Sequence, residues 1–151
     1  MKWIVQTDGG SPANPGPASF AFVIKDNDVT VFKRSGYLPH ATNNEAEYKA
    51  VIAACVFMLL EFKEEQLPQE IEFWCDSELV VKQIKGQYKV HNEGLRPHYE
   101  DAMRYLKLLR AKAQAKVTMN WFKRDNNKEA DELCNQVLER HGYVFANKKR
   151  G

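Results

Sequence analysis

The sequence predicts an α/β fold, a sheet flanked by helices, and three observations carry that prediction. Residues 2–37 hold three strand-like runs separated by turn sequence, later strand-like runs alternate with helical ones, and two aspartates directly follow strand segments. The 151 residues fit one domain, large enough to bury a core without disulfides or a structural metal.

Residues 2–7 are apolar and aromatic enough for a sheet interior. The Gly- and Pro-rich stretch that follows is expected to end the strand, leaving Asp8 at its carboxyl end. In helix-flanked sheets such ends open into loop-lined crevices where ligands collect. Asp-Gly is also ordinary turn sequence, so position alone leaves Asp8 either a turn or a site residue. Residues 18–24 alternate Phe20, Phe22 and Ile24 with Ser19, Ala21 and Val23. Asp26-Asn27-Asp28 turns the chain and residues 29–37 resume a strand, giving an antiparallel meander that exits at Gly36 and Pro39.

Thr42-Asn43-Asn44-Glu45 reads as a capping box, a hydroxyl and a carboxylate three residues apart that satisfy each other's backbone N–H groups. The helix behind it is expected from residue 46 to about 63. Ala46, Ala50, Ala53, Ala54, Phe57 and Leu60 recur at helical spacing, and Val51, Ile52, Val56, Met58 and Leu59 predict burial on a second side. Glu47 lies in the first turns, where an acidic residue also complements the helix dipole.

Beyond Pro68, residues 70–75 alternate as a fourth strand that ends at Asp76, and Ser77 caps a short helix running through Lys85 to Gly86. A polar connector, residues 87–94, precedes a long amphipathic helix bearing Tyr99, Ala102, Met103, Leu106 and Leu109; Asn92 and Pro97 bracket its start. Residues 117–122 make a fifth strand with Val117, Met119 and Trp121 on one side. The run from Arg124 to Asp131 opens a last helix, whose apolar face is Ala130, Leu133, Cys134, Val137 and Leu138 and whose end is Gly142. The domain is expected over residues 1–143, with 144–151 a flexible basic tail.

Composition narrows function less than the motifs do. A net charge of +2 neither demands nor excludes a polyanionic partner. No apolar run is long enough to cross a bilayer and the N-terminus lacks a signal-peptide pattern, so a cytoplasmic location is expected, with no membrane partner. Cys55, Cys75 and Cys134 are odd in number, lack metal-site spacing and sit in apolar segments, which predicts buried free thiols.

Asp8, Glu47, Asp76 and Asp131 remain, two at strand ends and two in early helical turns, and all four are expected at one edge of the sheet. Carboxylates crowded together repel unless protonated, paired or bound to cations, and an oxygen-only ligand set suits Mg²⁺ or Mn²⁺. Two such ions would activate water on one side of a phosphodiester and stabilise the leaving oxygen on the other, so hydrolysis of nucleic acid is the expected reaction.

Four motifs in order resemble type 1 ribonuclease H over residues 2 to about 141: Thr7-Asp8-Gly9-Gly10 with Asn14-Pro15-Gly16-Pro17, Thr42-Asn43-Asn44-Glu45-Ala46-Glu47, Cys75-Asp76-Ser77, and Asn127-Lys128-Glu129-Ala130-Asp131-Glu132-Leu133. The resemblance implies a mixed five-stranded sheet, the first three strands antiparallel and the last two parallel to the first, with helices on both faces. It implies an endonuclease that cuts the RNA strand of RNA/DNA hybrids to 5′-phosphomonoesters, acts as a monomer, and carries two metal ions on Asp8, Glu47, Asp76 and Asp131, with Asp8 bridging them. By the same resemblance Asn14, Asn43 and Asn44 contact the hybrid and Thr42 helps hold a DNA phosphate; Thr42 equally serves as a helix cap.

The chain departs from the family pattern in three places. Where many bacterial members have a loop histidine before the last acidic helix, a shorter loop offers Arg124, which stays protonated and so can stabilise phosphate charge but not act as a base. Other members share this Arg-x-x-Asn arrangement. Glu78 stands where a glutamine helps read the RNA strand; a carboxylate there can accept from a 2′-hydroxyl but not donate, or it can face solvent. The long basic arm of some bacterial enzymes is absent, and Lys82, Lys85, Tyr88, Lys89 and Arg96 are either a smaller substitute or a solvated face. The alternatives are a related-fold nuclease for another nucleic acid, against which the three asparagines weigh, and a hybrid-binding module without catalysis, which loss of an acidic ligand would favour.

Overall fold

The structure, a computed structural model, describes residues 1–145. Five strands and four α-helices run β1 (Lys2–Gly10), β2 (Gly16–Asp26), β3 (Val29–Ala41), α1 (Asn43–Glu61), β4 (Glu70–Cys75), α2 (Glu78–Ile84), α3 (Arg96–Ala113), β5 (Lys116–Trp121) and α4 (Lys128–Arg140). The sheet order is β3-β2-β1-β4-β5. The first three strands pair antiparallel, β4 pairs parallel to β1, and β5 parallel to β4. This is the mixed five-stranded α/β sheet the resemblance implied.

Alternation along β2 assigns the two faces. Phe22 and Ile24 join Trp3, Val5, Ile71 and Phe73 in one core with Tyr48, Val51, Cys55 and Met58 of α1 and Leu106 and Leu109 of α3. Ser19, Ala21 and Val23 point the other way, and there Ser19 donates to the Cys134 carbonyl of α4 at 2.9 Å. The helix α4 packs over β1, β2 and β3, burying Ala130, Cys134, Val137 and Leu138. All three cysteines are buried and free. Among the described residues no helix is long and apolar enough to cross a membrane.

In two strands a glycine admits a neighbour and the pairing runs on past its expected end. In β1, Gly9 and Gly10 keep pairing with Phe20 and Ser19 of β2, whereas the parallel ladder with β4 stops at Thr7 and Cys75. Asp8 therefore lies within the antiparallel ladder but at the carboxyl end of the parallel one. In β3 the pairing passes Gly36, and a Cβ there would sit 2.3 Å from the Phe20 ring. Pro39 is tolerated because β3 is an edge strand.

Two apolar residues placed on core faces, Leu60 and Trp121, are exposed. Leu60, in the last turn of α1, is 76 % exposed, since the buried face of that helix ends at Met58. Trp121 ends β5 and is 45 % exposed, and Leu133 is half-buried. Of the expected basic tail, residues 146–151 lie outside the described residues.

Candidate metal centre

Three chain segments deliver the central carboxylates to one place. Asp8 comes from β1, Asp76 directly follows β4, and Glu47 sits just beyond the first turn of α1. One oxygen from each lies within 4.8 Å of the others. Asp8 and Glu47 are buried and Asp76 is half-buried. The Gly9 N–H donates to Asp8 Oδ1 at 3.0 Å, and the Cys75 thiol lies 3.8 Å from Glu47 Oε1.

The helix carrying Glu47 can approach so closely because residue 9 has no side chain. A Cβ on Gly9 would stand 2.3 Å from the Ala46 carbonyl oxygen and 2.6 Å from the Glu47 nitrogen. Its start is fixed by the expected capping box: Thr42 Oγ1 accepts from Glu45 N at 3.1 Å and Glu45 Oε1 accepts from Thr42 N at 2.9 Å.

Burial and mutual repulsion favour the protonated form of these carboxyls. Burial first, then the charges of Asp76 and Asp131, push Asp8 up to about 8. Glu47 lies well above the usual carboxylate range for the same leading reason, with Asp8 and Asp76 adding to it. Asp76 is raised by burial, while an amide bond from Asn127 and the charge of Arg124 act in the opposite direction. A divalent cation would remove this penalty. The donors are carboxylate oxygens with no imidazole among them, so the site fits a hard metal ion.

Asp131, in the first turn of α4, is outside the group of three whose oxygens all lie within 4.8 Å of one another, but its carboxyl interacts with that of Asp8 and lines the same cleft of about 480 Å³, together with Asn43 and Arg124. Its Oδ1 is 3.5 Å from Arg124 Nη2. The charge of Arg124 is reinforced first by Asp131 and then by Asp8 and Asp76. No histidine is among the described residues that line the cleft.

The residues expected to contact substrate fall into two groups. Asn43 Oδ1 accepts from Ser11 N at 2.7 Å and Asn14 Oδ1 accepts from Asn43 N at 2.9 Å, so both amide oxygens tie the β1–β2 loop to the start of α1. Because backbone N–H groups must meet oxygens, the amide NH₂ ends are the ones left to meet a ligand. Asn44 is half-buried beside them. Glu78 heads α2 but pairs with Lys82 at 2.9 Å and is not among the residues lining the cleft.

Asn127 carries no signal in the sequence beyond its place in the motif that contains Asp131. Its position before α4 is that of a helix cap, yet its side chain makes no cap bond and turns inward. There Nδ2 donates to the Thr7 carbonyl at 2.8 Å and to Asp76 Oδ2 at 3.3 Å.

A 3-2-1-4-5 mixed sheet with an acidic cleft at the carboxyl ends of β1 and β4 defines the class of ribonuclease H-like domains. The family profile described as reverse transcriptase-like matches residues 6–137. The chain is 35 % identical to ribonuclease HI of Halobacterium salinarum over 133 residues, covering 87 % of this chain and 62 % of that protein. It is 31 % identical over 141 residues to the bifunctional protein Rv2228c of Mycobacterium tuberculosis, covering 92 % of this chain and 36 % of the relative. The crystal structure of LC11-RNase H1 in complex with an RNA/DNA hybrid superposes with a TM-score of 0.81 at 33 % identity, covering 92 % of this chain and 98 % of that one. The chain belongs to the type 1 ribonuclease H family. It spans less than two thirds of the length of the halobacterial relative and little more than a third of the mycobacterial one.

Proposed function

We propose that this chain is a metal-dependent endoribonuclease that hydrolyses the RNA strand of RNA/DNA hybrids and leaves 5′-phosphate ends. The observation that carries the reading is the convergence of Asp8, Glu47 and Asp76 within 4.8 Å, in a family whose member LC11-RNase H1 was crystallised on such a hybrid. Asp8, Glu47, Asp76 and Asp131 would hold two Mg²⁺ ions, with Mn²⁺ as a substitute. Bound there, the ions supply water activation and charge neutralisation at the leaving oxygen.

The rest is the work of side chains. The buried floor formed by Asp8 and Glu47 keeps bulk water from screening the cluster, which strengthens every charge interaction in it. The outward NH₂ groups of Asn14 and Asn43 donate to 2′-oxygens or minor-groove acceptors, features that distinguish an RNA strand. Thr42 keeps one hydroxyl hydrogen for a phosphate even while it accepts from Glu45. All four carboxylates come from one chain, which fits a monomer, and the unpaired cysteines fit a reducing, cytoplasmic compartment. Residues 1–143 would form the catalytic domain.

Labelled RNA/DNA, RNA/RNA, DNA/DNA and single-stranded RNA of one sequence, incubated with and without Mg²⁺ or Mn²⁺, test this reading. Only the RNA of the hybrid should be cut, only with metal present. Equal cutting of duplex RNA or of DNA would overturn the substrate assignment, and cutting in chelator would overturn the mechanism.

Arg124, beside Asp131 in the cleft, would stabilise phosphate charge rather than move protons. Arg124→Ala should lower kcat by about 10-fold or more and Arg124→Lys by less, with no new ionisation in the pH–rate profile. Equal rates in all three proteins would leave Arg124 a surface charge.

Binding should be weak and shallow in its salt dependence. Lys89, His91 and Arg96 with Tyr88 line a second cleft of about 350 Å³, but Lys82 is engaged by Glu78. Neutralising Lys85 and Lys89 together should reduce the slope of log K against log[salt] by roughly 0.9 for each phosphate that is no longer neutralised, a B-DNA value used as a guide. Deleting residues 148–151 provides the comparison. A slope as steep as that of an arm-bearing enzyme, unmoved by either change, would refute a role for these cations.

A further inference from the structure

Asn127 is a fully buried amide at the metal centre, and it touches three of the strand and helix ends that bring acids there. Its Nδ2 donates to the carbonyl of Thr7, the residue before Asp8, and to Oδ2 of Asp76. Its own carbonyl accepts the N–H of Asp131 at 3.0 Å, closing the first turn of α4. Three of the four acidic segments are thus joined through one residue.

The same side chain bears a cost that a purely structural residue would not keep. Its Oδ1 is buried and has no hydrogen-bond partner among the described residues. A buried, unmet carbonyl opposes folding, so the amide is retained for what its NH₂ group holds in place. Both NH₂ hydrogens have acceptors, one on the β1 backbone and one on an acidic side chain. A neutral donor suits this position, because a lysine or arginine in its place would compete with a cation for the carboxylates.

We infer that Asn127 is a positioning residue for metal binding: it fixes the Asp76 carboxylate relative to the end of β1, leaving Oδ1 of Asp76 to face a cation. The inference rests on the metal-carboxylate reading of the site. Asn127 touches neither substrate nor metal and acts through Asp76.

Two variants separate this role from a structural one. Asn127→Asp keeps the shape and removes the donor; Asn127→Ala removes the side chain without adding a charge. Mg²⁺ binding is read by calorimetry and by the Mg²⁺-induced rise in Tm, and hybrid binding is read in chelator. Each folded variant should need at least 10-fold more Mg²⁺ than the wild type, lose kcat with little change in KM, and bind hybrid in chelator within 2-fold for Asn127→Ala. Excess Mg²⁺ should recover part of the kcat of Asn127→Ala. A variant that binds Mg²⁺ as the wild type does, with a lowered Tm as its only defect, overturns the inference while leaving the metal site standing. A wild type that binds no Mg²⁺ removes both. Should neither variant fold, the unaltered chain decides: the Asn127 side-chain NH₂ resonances must shift on Mg²⁺ titration together with the Asp76 carboxyl carbon, and resonances that stay fixed while Mg²⁺ binds refute the inference.

Discussion

Asp8→Asn should abolish hybrid cleavage and at the same time make the metal-free protein more stable above neutral pH. The substitution removes a charge without removing bulk, so the fold is kept. Cleavage should fall by about 10³-fold or more, which corresponds to about 4 kcal/mol of barrier. The stability gain follows from the raised pKa. Asp8 releases its proton near 3.8 when unfolded and at about 8 when folded, so between these values the folded state holds a proton the unfolded state has lost. Stability is therefore full below about pH 4, declines as pH rises toward about 8, and levels off above it. Asparagine cannot ionise, and this part of the decline disappears. At pH 8 the metal-free variant should exceed the wild type by on the order of 3 kcal/mol, or about 6–12 °C in Tm. Mg²⁺ should narrow the gap by stabilising the ionised wild-type cluster. Thermal scans from pH 4 to 9 with chelator and with Mg²⁺, beside single-turnover cleavage, give both readings; a folded variant with normal Mg²⁺-dependent cleavage would refute the assignment of Asp8.

Gly9→Ala should be among the most damaging single methyl additions in the chain. The new Cβ would meet the Ala46 carbonyl oxygen at 2.3 Å, its carbon at 2.4 Å and the Glu47 nitrogen at 2.6 Å. These are backbone atoms, so no rotamer change relieves the clash and α1 must shift away from β1. A destabilisation of about 3 kcal/mol is expected, at the upper end for overpacking. Glu47 moves with the helix, so Mg²⁺ affinity and kcat should fall further than the loss of folded protein explains. Gly10→Ala is the control: its Cβ finds only Asn43 Oδ1 at 3.6 Å, an ordinary van der Waals distance, and its denaturant midpoint should stay close to that of the wild type. Equal midpoints for the two variants would show that the close approach at Gly9 is not needed.

The features legible in the sequence were those with a local cause. The Thr42–Glu45 capping box, the alternation in β4 and the Asp76-Ser77 strand-to-helix junction each depend on residues a few positions apart, and each is found as expected. What escaped depends on packing between distant segments. Gly9 and Gly10 read as turn sequence because glycine usually ends strands, yet here their missing side chains let β1 run on beneath α1. Asn127 carries no local signal of its role, and only the proximity of Thr7 and Asp76, 120 and 51 residues away, gives its amide its partners. Leu60 and Trp121 keep the right periodicity but lie at element ends, past the layer that would cover them. Strand ends and helix starts are local features, which is why the four acids stand out in the sequence. That three of them close to within 4.8 Å follows from the order of the sheet, which periodicity alone does not give.

The most direct measurement is where a divalent cation settles. Mn²⁺ titrated into ¹⁵N-labelled protein near pH 7.5 should broaden first the backbone resonances of Asp8, Gly9, Glu47, Asp76 and Ser77, then Asp131. Excess Mg²⁺ should reverse the effect, and Asp8→Asn should weaken it at least 10-fold. Broadening centred elsewhere, or equally strong in Asp8→Asn, would contradict a carboxylate metal centre at this edge of the sheet.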